Sequence, residues 1–319
     1  MARWVARGRS ERTAPVAEAS RALDLDRSLS VIRALDRRAG RQLDRLDHWP
    51  LAQWSGAPGL RFAGNDDAGW AGVLVVPVDT GGPGEWLSRG GGPAWVRWIG
   101  VDDRAPVGPR LRVLLRAADR VAREGGLTGL WLLCDSGGWL DPYLLDEGYR
   151  AVDEVITLER SLRRARSEAL AGNFGPITPE AKRICLRPAL FQDVGAVVTV
   201  DSRAFQDPWR YAPATMAREL SAASVARVAL DGDRVVGYTT AVVRDGGGHI
   251  NRIAVDTVAQ GRGVGRALLA DINGQLALRG VTRITLNTQR SNVASQRLYR
   301  SAGFRVLDPP LKVYHLPLA

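Results

Sequence analysis

The chain has 319 residues, 45% hydrophobic and 24% charged, with 35 glycines and 17 prolines, a composition that excludes collagen-like, low-complexity and acidic disordered chains and a length that suits two domains. Two distant cysteines, Cys134 and Cys185, and three histidines, His48, His249 and His315, exclude a disulfide scaffold and argue against any metal site. The formal net charge of +10 falls on the second half, because residues 1–160 hold 22 basic and 22 acidic side chains and residues 161–319 hold 22 and 12.

In chain order, residues 1–15 read as a loose basic arm without the apolar core of a secretory signal. No run approaches the ~18 apolar residues of a membrane span, so no membrane is expected as a partner and the expected location is cytoplasmic. Residues 16–47 read helical, with Leu29, Ile32, Leu35, Leu43 and Leu46 among alternating Arg and Asp. Strands follow at 60–63, 71–78 and 94–101, a helix at 109–124 ended by Gly125-Gly126, a buried-type strand at 127–134, a short helix at 140–147 and a strand at 149–158. The charged stretch 161–182 reads as a linker. Beyond it come a strand at 184–186, helices at 194–205 and 215–222, and a hairpin of 225–230 with 235–243 around Asp231-Gly232-Asp233. A strand at 250–255, a helix at 263–279, a strand at 284–288, a short helix at 292–302 and a closing hairpin of 304–306 with 312–316 complete the pattern.

The order of elements repeats. Ile99-Gly100-Val101-Asp102 matches Ile253-Ala254-Val255-Asp256 at an offset of 154, and Gly148-Tyr149 matches Gly303-Phe304 at 155. One α/β unit copied twice is the simplest account: a first domain over 1–160 with a helical extension, a linker over 161–182 and a second domain over 183–319. Tryptophan marks the first copy, nine of ten lying before residue 140. Trp95, Trp98, Trp131 and Trp139 are expected in its core, with a cleft between the halves as the alternative.

The strongest local signal is a strand, Ile253-Ala254-Val255, that leads through Gln260-Gly261-Arg262-Gly263-Val264-Gly265-Arg266 into a helix whose Val264, Leu268, Ile272 and Leu276 share one face. Glycines remove Cβ atoms where a ligand must approach the backbone. The exposed amides and the dipole of the helix start favour an anion there. Arg262 and Arg266 add charge-assisted donors. No Gly-Lys-Ser/Thr follows, so this is not a nucleotide-triphosphate loop, and the G-x-G-x-x-G dinucleotide pattern is absent.

Gln260–Gly265 has the Q/R-x-x-G-x-G/A form, and with Ser291-Asn292-Val293-Ala294, Leu298-Tyr299 and Gly303-Phe304 the segment 184–318 resembles the GNAT acetyltransferase superfamily, with Ala294 one place early. Ala204-Phe205-Gln206-Asp207-Pro208-Trp209 is similar to the corresponding segment of the ribosomal-protein-alanine N-acetyltransferases. The tandem arrangement with one active half resembles mycothiol synthase. The resemblance implies two tandem GNAT-like domains, each a mixed, mostly antiparallel sheet flanked by helices. It implies acetyl-CoA as cofactor and a primary amine, on a protein N-terminus or a small molecule, as acceptor.

On that resemblance, Gln260–Arg266 hold the diphosphate of coenzyme A, the backbone of Ile253, Ala254 and Val255 pairs with the pantetheine arm, and Asn292 contacts it. Tyr299 is the general acid for the leaving thiolate, since a phenol of pKa about 10 can protonate it. Phe205, Pro208 and Trp209 frame the acceptor's way in. The alanine acetyltransferases carry a glutamate where this chain has Asn287, which takes no proton at neutral pH. His249 acting through water is the other candidate base, and an α-amine of pKa about 8 is partly neutral already. A non-catalytic acyl-CoA sensor is therefore the alternative function.

The first half lacks these features. The repeat offset sets Leu144 opposite Tyr299, Gly137 opposite Asn292 and Leu133 opposite Asn287. Its turn, Asp102-Asp103-Arg104-Ala105-Pro106-Val107-Gly108-Pro109, has one glycine, two prolines without N–H donors and two carboxylates that repel phosphate. A domain without catalysis and without cofactor is expected there. The basic second half lacks the aromatic-basic interleaving of a nucleic-acid surface, so nucleic acid is not expected as a partner.

Overall fold

The computed structural model describes residues 20–45, 50–78, 92–162 and 183–318. The first half contributes α1 (Leu25–Arg38), β1 (Ala39–Asp44), β2 (Leu60–Asn65), β3 (Gly69–Pro77), β4 (Pro93–Asp102), α2 (Val107–Glu124), β5 (Gly129–Asp135), α3 (Asp141–Asp146) and β6 (Arg150–Ser161). The second contributes β7 (Ile184–Pro188), α4 (Val194–Ala204), α5 (Pro213–Ala222), β8 (Val225–Asp231), β9 (Arg234–Arg244), β10 (Gly247–Val255), α6 (Val264–Leu278), β11 (Arg283–Gln289), α7 (Val293–Ser301) and β12 (Arg305–Pro317). Among the described residues the strands join one 12-stranded sheet in the order β2-β3-β4-β5-β12-β6-β11-β10-β9-β8-β7, with β1 beside β4. The pairing is antiparallel except at β4–β5 and β10–β11. A parallel step needs a crossover, and α2 and α6 supply it in the two halves.

Burial follows the sequence pattern. Every residue of β3 is buried, as a near-continuous apolar run requires when both faces are covered. On one face lie Leu111, Leu114, Leu115, Ala118 and Ala122 of α2, spaced by three and four. On the other lie Val31, Ile32 and Leu35 of α1, packed with Phe62, Trp70 and Trp98. Each such leucine, isoleucine or valine contributes roughly 1.5–3 kcal/mol when fully buried.

The halves exchange strands. β12 lies between β5 and β6, and β6 lies between β12 and β11. The last strand of each half is thus held by the sheet of the other. The expected closing hairpin is one strand, Arg305–Pro317, whose register with β6 shifts between Leu307 and Leu311. The helix expected over 16–47 is also shorter. It ends at Arg38, and Ala39–Asp44 is a strand on β4. Gly40 is a poor helix residue, and the strand buries Leu43 against the core of the first half. The basic arm 1–15 lies outside the described residues. So do 163–182 of the expected linker, while Ser161 ends β6.

The crossover in each half leaves a gap. β10 pairs β11 only through Gly247–Ile250 against Arg283–Leu286, and beyond Ile250 the strands part. β4 likewise pairs β5 only through Pro93–Val96. There, however, the freed edge from Trp98 to Asp102 is taken by β1, with Leu43 opposite Ile99 and Asp44 opposite Trp98. No helix among the described residues is long and apolar enough to cross a membrane.

Candidate active site

The glycine-rich turn is built from local backbone chemistry. Buried Asp256 follows β10 directly. It accepts the Val258 N–H at 3.3 Å and pairs with Arg203 at 2.9 Å and Arg234 at 2.8 Å. Gly261 and Gly263 follow with φ of +76° and +82°, the left-handed region that side chains with a Cβ rarely enter. The first bond closing α6 runs from the Ala267 N–H to the Gly263 carbonyl. The amides of Val264, Gly265 and Arg266 therefore stand at the helix start without helical partners. A Cβ added at Gly261 would meet nothing within 4 Å. Arg262 is tied to Asp231 at 2.8 Å, while Arg266 is exposed. In the first half, Pro106 precedes α2 at φ −63°, and Arg104 forks onto buried Asp102, holding that carboxyl down to about 2.

The parted edges of β10 and β11 open into a cavity of about 620 Å³ between the halves. Asp256 donates its N–H to the Val236 carbonyl of β9. Strand alternation then turns the backbone groups of Ile253 and Val255 toward the gap, although the Val255 carbonyl already accepts from the Gln260 side chain at 3.2 Å. Register slips between Ile250 and Arg252, so Asn251 is a bulge at the point of parting. The cavity is lined by Ile253, Asn287, Asn292 and Tyr299, by Phe205, Pro208 and Trp209, and from the first half by Arg45, Trp54, Trp95 and Leu133. Trp95 touches Trp209 at 5.2 Å between ring centroids and donates its indole N–H to the Pro208 carbonyl at 3.4 Å. Of the other tryptophans, Trp98 is core, while Trp131 stacks on His315 at 4.2 Å.

The polar residues divide by role. Tyr299 is 4% exposed on α7, and burial pushes its phenol up to about 12, so it remains a proton donor throughout the neutral range. Asn292 caps α7, its Oδ1 accepting the Ser295 N–H at 3.1 Å. Asn287 accepts from the Thr157 hydroxyl of β6 at 2.9 Å. His249 lies apart from Tyr299. It lines an adjoining cavity with Glu219, Asn251 and Asn287, meets Thr285 Oγ1 at 2.8 Å, and has its pKa lowered by burial against the opposing pull of Glu219.

Three residues at this site carry no motif. Arg252 of β10 forks onto fully buried Asp201 at 2.9 and 3.1 Å and lies between the rings of Phe205 and Tyr211 at 3.8 and 3.9 Å. This clamp holds the segment 205–211 against the gap, and losing one partner of such a buried pair costs ~3–5 kcal/mol. Glu219 of α5 is 7% exposed and accepts from Thr240 Oγ1 at 2.6 Å and Asn251 Nδ2 at 2.9 Å. The one sequence signal for Glu219 is its spacing, three residues after buried Met216 on a short helix.

Residues 196–304 match the sequence profile of the Acetyltransferase (GNAT) family. The [Ribosomal protein bS18]-alanine N-acetyltransferase of Haemophilus ducreyi (strain 35000HP / ATCC 700724) is 34% identical over 65 residues, 20% of this chain and 45% of that protein. The enzyme of the same name from Salmonella typhimurium (strain LT2) is 42% identical over 73 residues, 23% of this chain and 49% of that protein. The chain thus spans about half the length of these curated relatives. A tandem GNAT protein from the clavulanic acid biosynthesis pathway superposes with a TM-score of 0.58 at 14% identity, over 94% of this chain and 98% of that one. The fold is therefore a tandem GNAT fold. Its residues 196–304 are a domain of the GNAT acetyltransferase family.

Proposed function

We propose that this chain is an acetyl-CoA-dependent N-acetyltransferase that acetylates a primary amine in the cavity between its halves. The observation that carries the reading is the unpaired edge of β10 beyond Ile250, which runs from a turn of free amides at one end to the Tyr299-lined cavity at the other. The residues fit the donor. The Val264–Arg266 amides with Arg266 suit a diphosphate, and the strand edge at Ile253 suits a pantetheine amide. Bound there, acetyl-CoA supplies an acyl carbon activated as a thioester. The chain's own groups then do two things. A backbone N–H on the open edge of β10 faces the carbonyl oxygen, and the Tyr299 phenol holds a proton for the departing sulfur. The curated relatives act on the alanine of ribosomal protein bS18. Asn287, bonded to Thr157 where a glutamate is expected, favours a different acceptor and keeps acyl-CoA sensing as the second reading.

Calorimetry on the whole chain tests this. One equivalent of acetyl-CoA per chain is expected, because β1 covers the matching edge of β4 in the first half. Transfer to a panel of amines, followed by thiol release, is expected to give acetylated product. Binding without product on any amine supports the sensor, and no binding heat overturns both readings.

A further inference from the structure

Resting on the reading of a primary-amine acceptor, we propose that Glu219 receives the acceptor's ammonium group and takes its proton, and that the acceptor is a small amine with an aromatic body seated against Trp95. Among the described residues, Glu219 is the one carboxylate lining the cavity that Tyr299 shares. Both of its hydrogen bonds end on Oε1, which leaves Oε2 for a ligand, and it makes no ion pair among the described residues. One of its donors is Asn251, the bulge where β10 and β11 part, so the carboxylate is fixed beside the opening through which the thioester is presented.

Charge points to the same pole. Five arginines line the walls: Arg45 pairs with Asp135, Arg210 with Asp207 and Arg252 with Asp201, Arg97 lies over the Trp95 ring at 5.4 Å, and Arg218 precedes Glu219 on α5. Among these walls Glu219 is the one carboxylate that an incoming cation can meet. The opposite pole is apolar, with Trp54, Val76 and Trp95 of the first half facing the cavity and Trp95 packed on Trp209. About 620 Å³ between the two halves is the volume of a small-molecule site.

The step balances. One ammonium proton passes to Glu219 and on to solvent. The freed nitrogen lone pair forms the N–C bond, the C–S bond breaks, and its electron pair takes the Tyr299 proton. The proton lost by the acylated nitrogen restores the phenol. Gln at position 219 keeps the acceptor oxygen that Thr240 and Asn251 use, so Glu219→Gln retains its local bonds while losing the charge.

The test measures binding to the full chain without acetyl-CoA, using 2-phenylethylamine and its uncharged counterpart 2-phenylethanol as probes. The wild type is expected to bind the amine at least tenfold more tightly than the alcohol. Glu219→Gln is expected to abolish that preference while leaving acetyl-CoA affinity within twofold. Glu219→Asp is expected to keep the preference, and Trp95→Ala to weaken both probes. Equal binding of the two probes by the wild type, or an unchanged preference in Glu219→Gln, overturns the proposal. A wild type that takes the amine but not acetyl-CoA overturns the acetyltransferase reading and the proton step with it.

Discussion

Replacing Gly261 by alanine separates backbone strain from ligand contact, because the same helix carries its own control. Gly261 precedes α6 at φ +76°, and Gly280 follows it at φ +79°. At neither does an added Cβ meet anything within 4 Å. Alanine at either position accepts a left-handed backbone, which costs about 1–2 kcal/mol, so both variants are expected to lose a few degrees of Tm. Their ligand affinities are expected to diverge. The helix between them is about 22 Å long, and only Gly261 stands in the turn that leads into the free amides. Displacing one charge-assisted bond to a diphosphate removes ~1.5–3 kcal/mol, which is about 10–100-fold in Kd. Calorimetric titration of acetyl-CoA into Gly261→Ala, Gly280→Ala and the wild type measures the difference. Equal affinities in the two variants, at matched losses of Tm, would refute the placement of the diphosphate at this turn.

Two further outcomes follow from the buried titrating groups. Tyr299→Phe is expected to lower kcat roughly 10²–10⁴-fold, the usual worth of a general acid, with unchanged acetyl-CoA affinity. Because the phenol is held at about 12, the wild-type rate is expected to show no loss up to pH 10 from its ionisation, and a steady kcat in Tyr299→Phe removes the residue from the role. His249 has a pKa below its ordinary 6.5 because it is buried. The unfolded chain therefore binds a proton near pH 6.5 that the folded chain does not, and stability present above that pH is lost as the pH falls toward the folded pKa. Thermal melts at pH 7, 6 and 5 are expected to fall more steeply for the wild type than for His249→Asn. Parallel curves contradict a buried, neutral imidazole.

The parts of the site that were legible in the sequence are those whose cause is local. The glycine-rich turn at Gly261 and Gly263, the short helix that begins at Asn292, and the buried face of Val264, Leu268, Ile272 and Leu276 were all readable, and the structure adds the left-handed φ and the Asn292 cap. The repeat of Ile99–Asp102 in Ile253–Asp256 is local too, and in both copies a buried aspartate stands at the strand's end, the last residue of β4 and the first beyond β10. What escaped depends on partners far along the chain. Nothing near Ala39–Asp44 tells that Trp98–Asp102 offers it an edge. Nothing in 304–316 tells that β5 and β6 leave room for one long strand instead of a hairpin. Glu219 reads as an ordinary charge on an amphipathic helix until Thr240 and Asn251 are brought to it from two strands.

These non-local pairings explain why a half without a phosphate turn remains coupled to the site. β6 borders β11, so Thr157 fixes Asn287, and Asp153 and Glu154 hold Ser291 and Arg290 just ahead of the cap of the helix that carries Tyr299. The exposed edge that β11 would otherwise present is satisfied by the other half's backbone. Trp54, Trp95 and Arg45 close the cavity from the same side. The first half thus loses its gap to β1 and supplies the second half with a neighbouring strand and a wall. The walls of the cavity are therefore set as much by the first half as by the second.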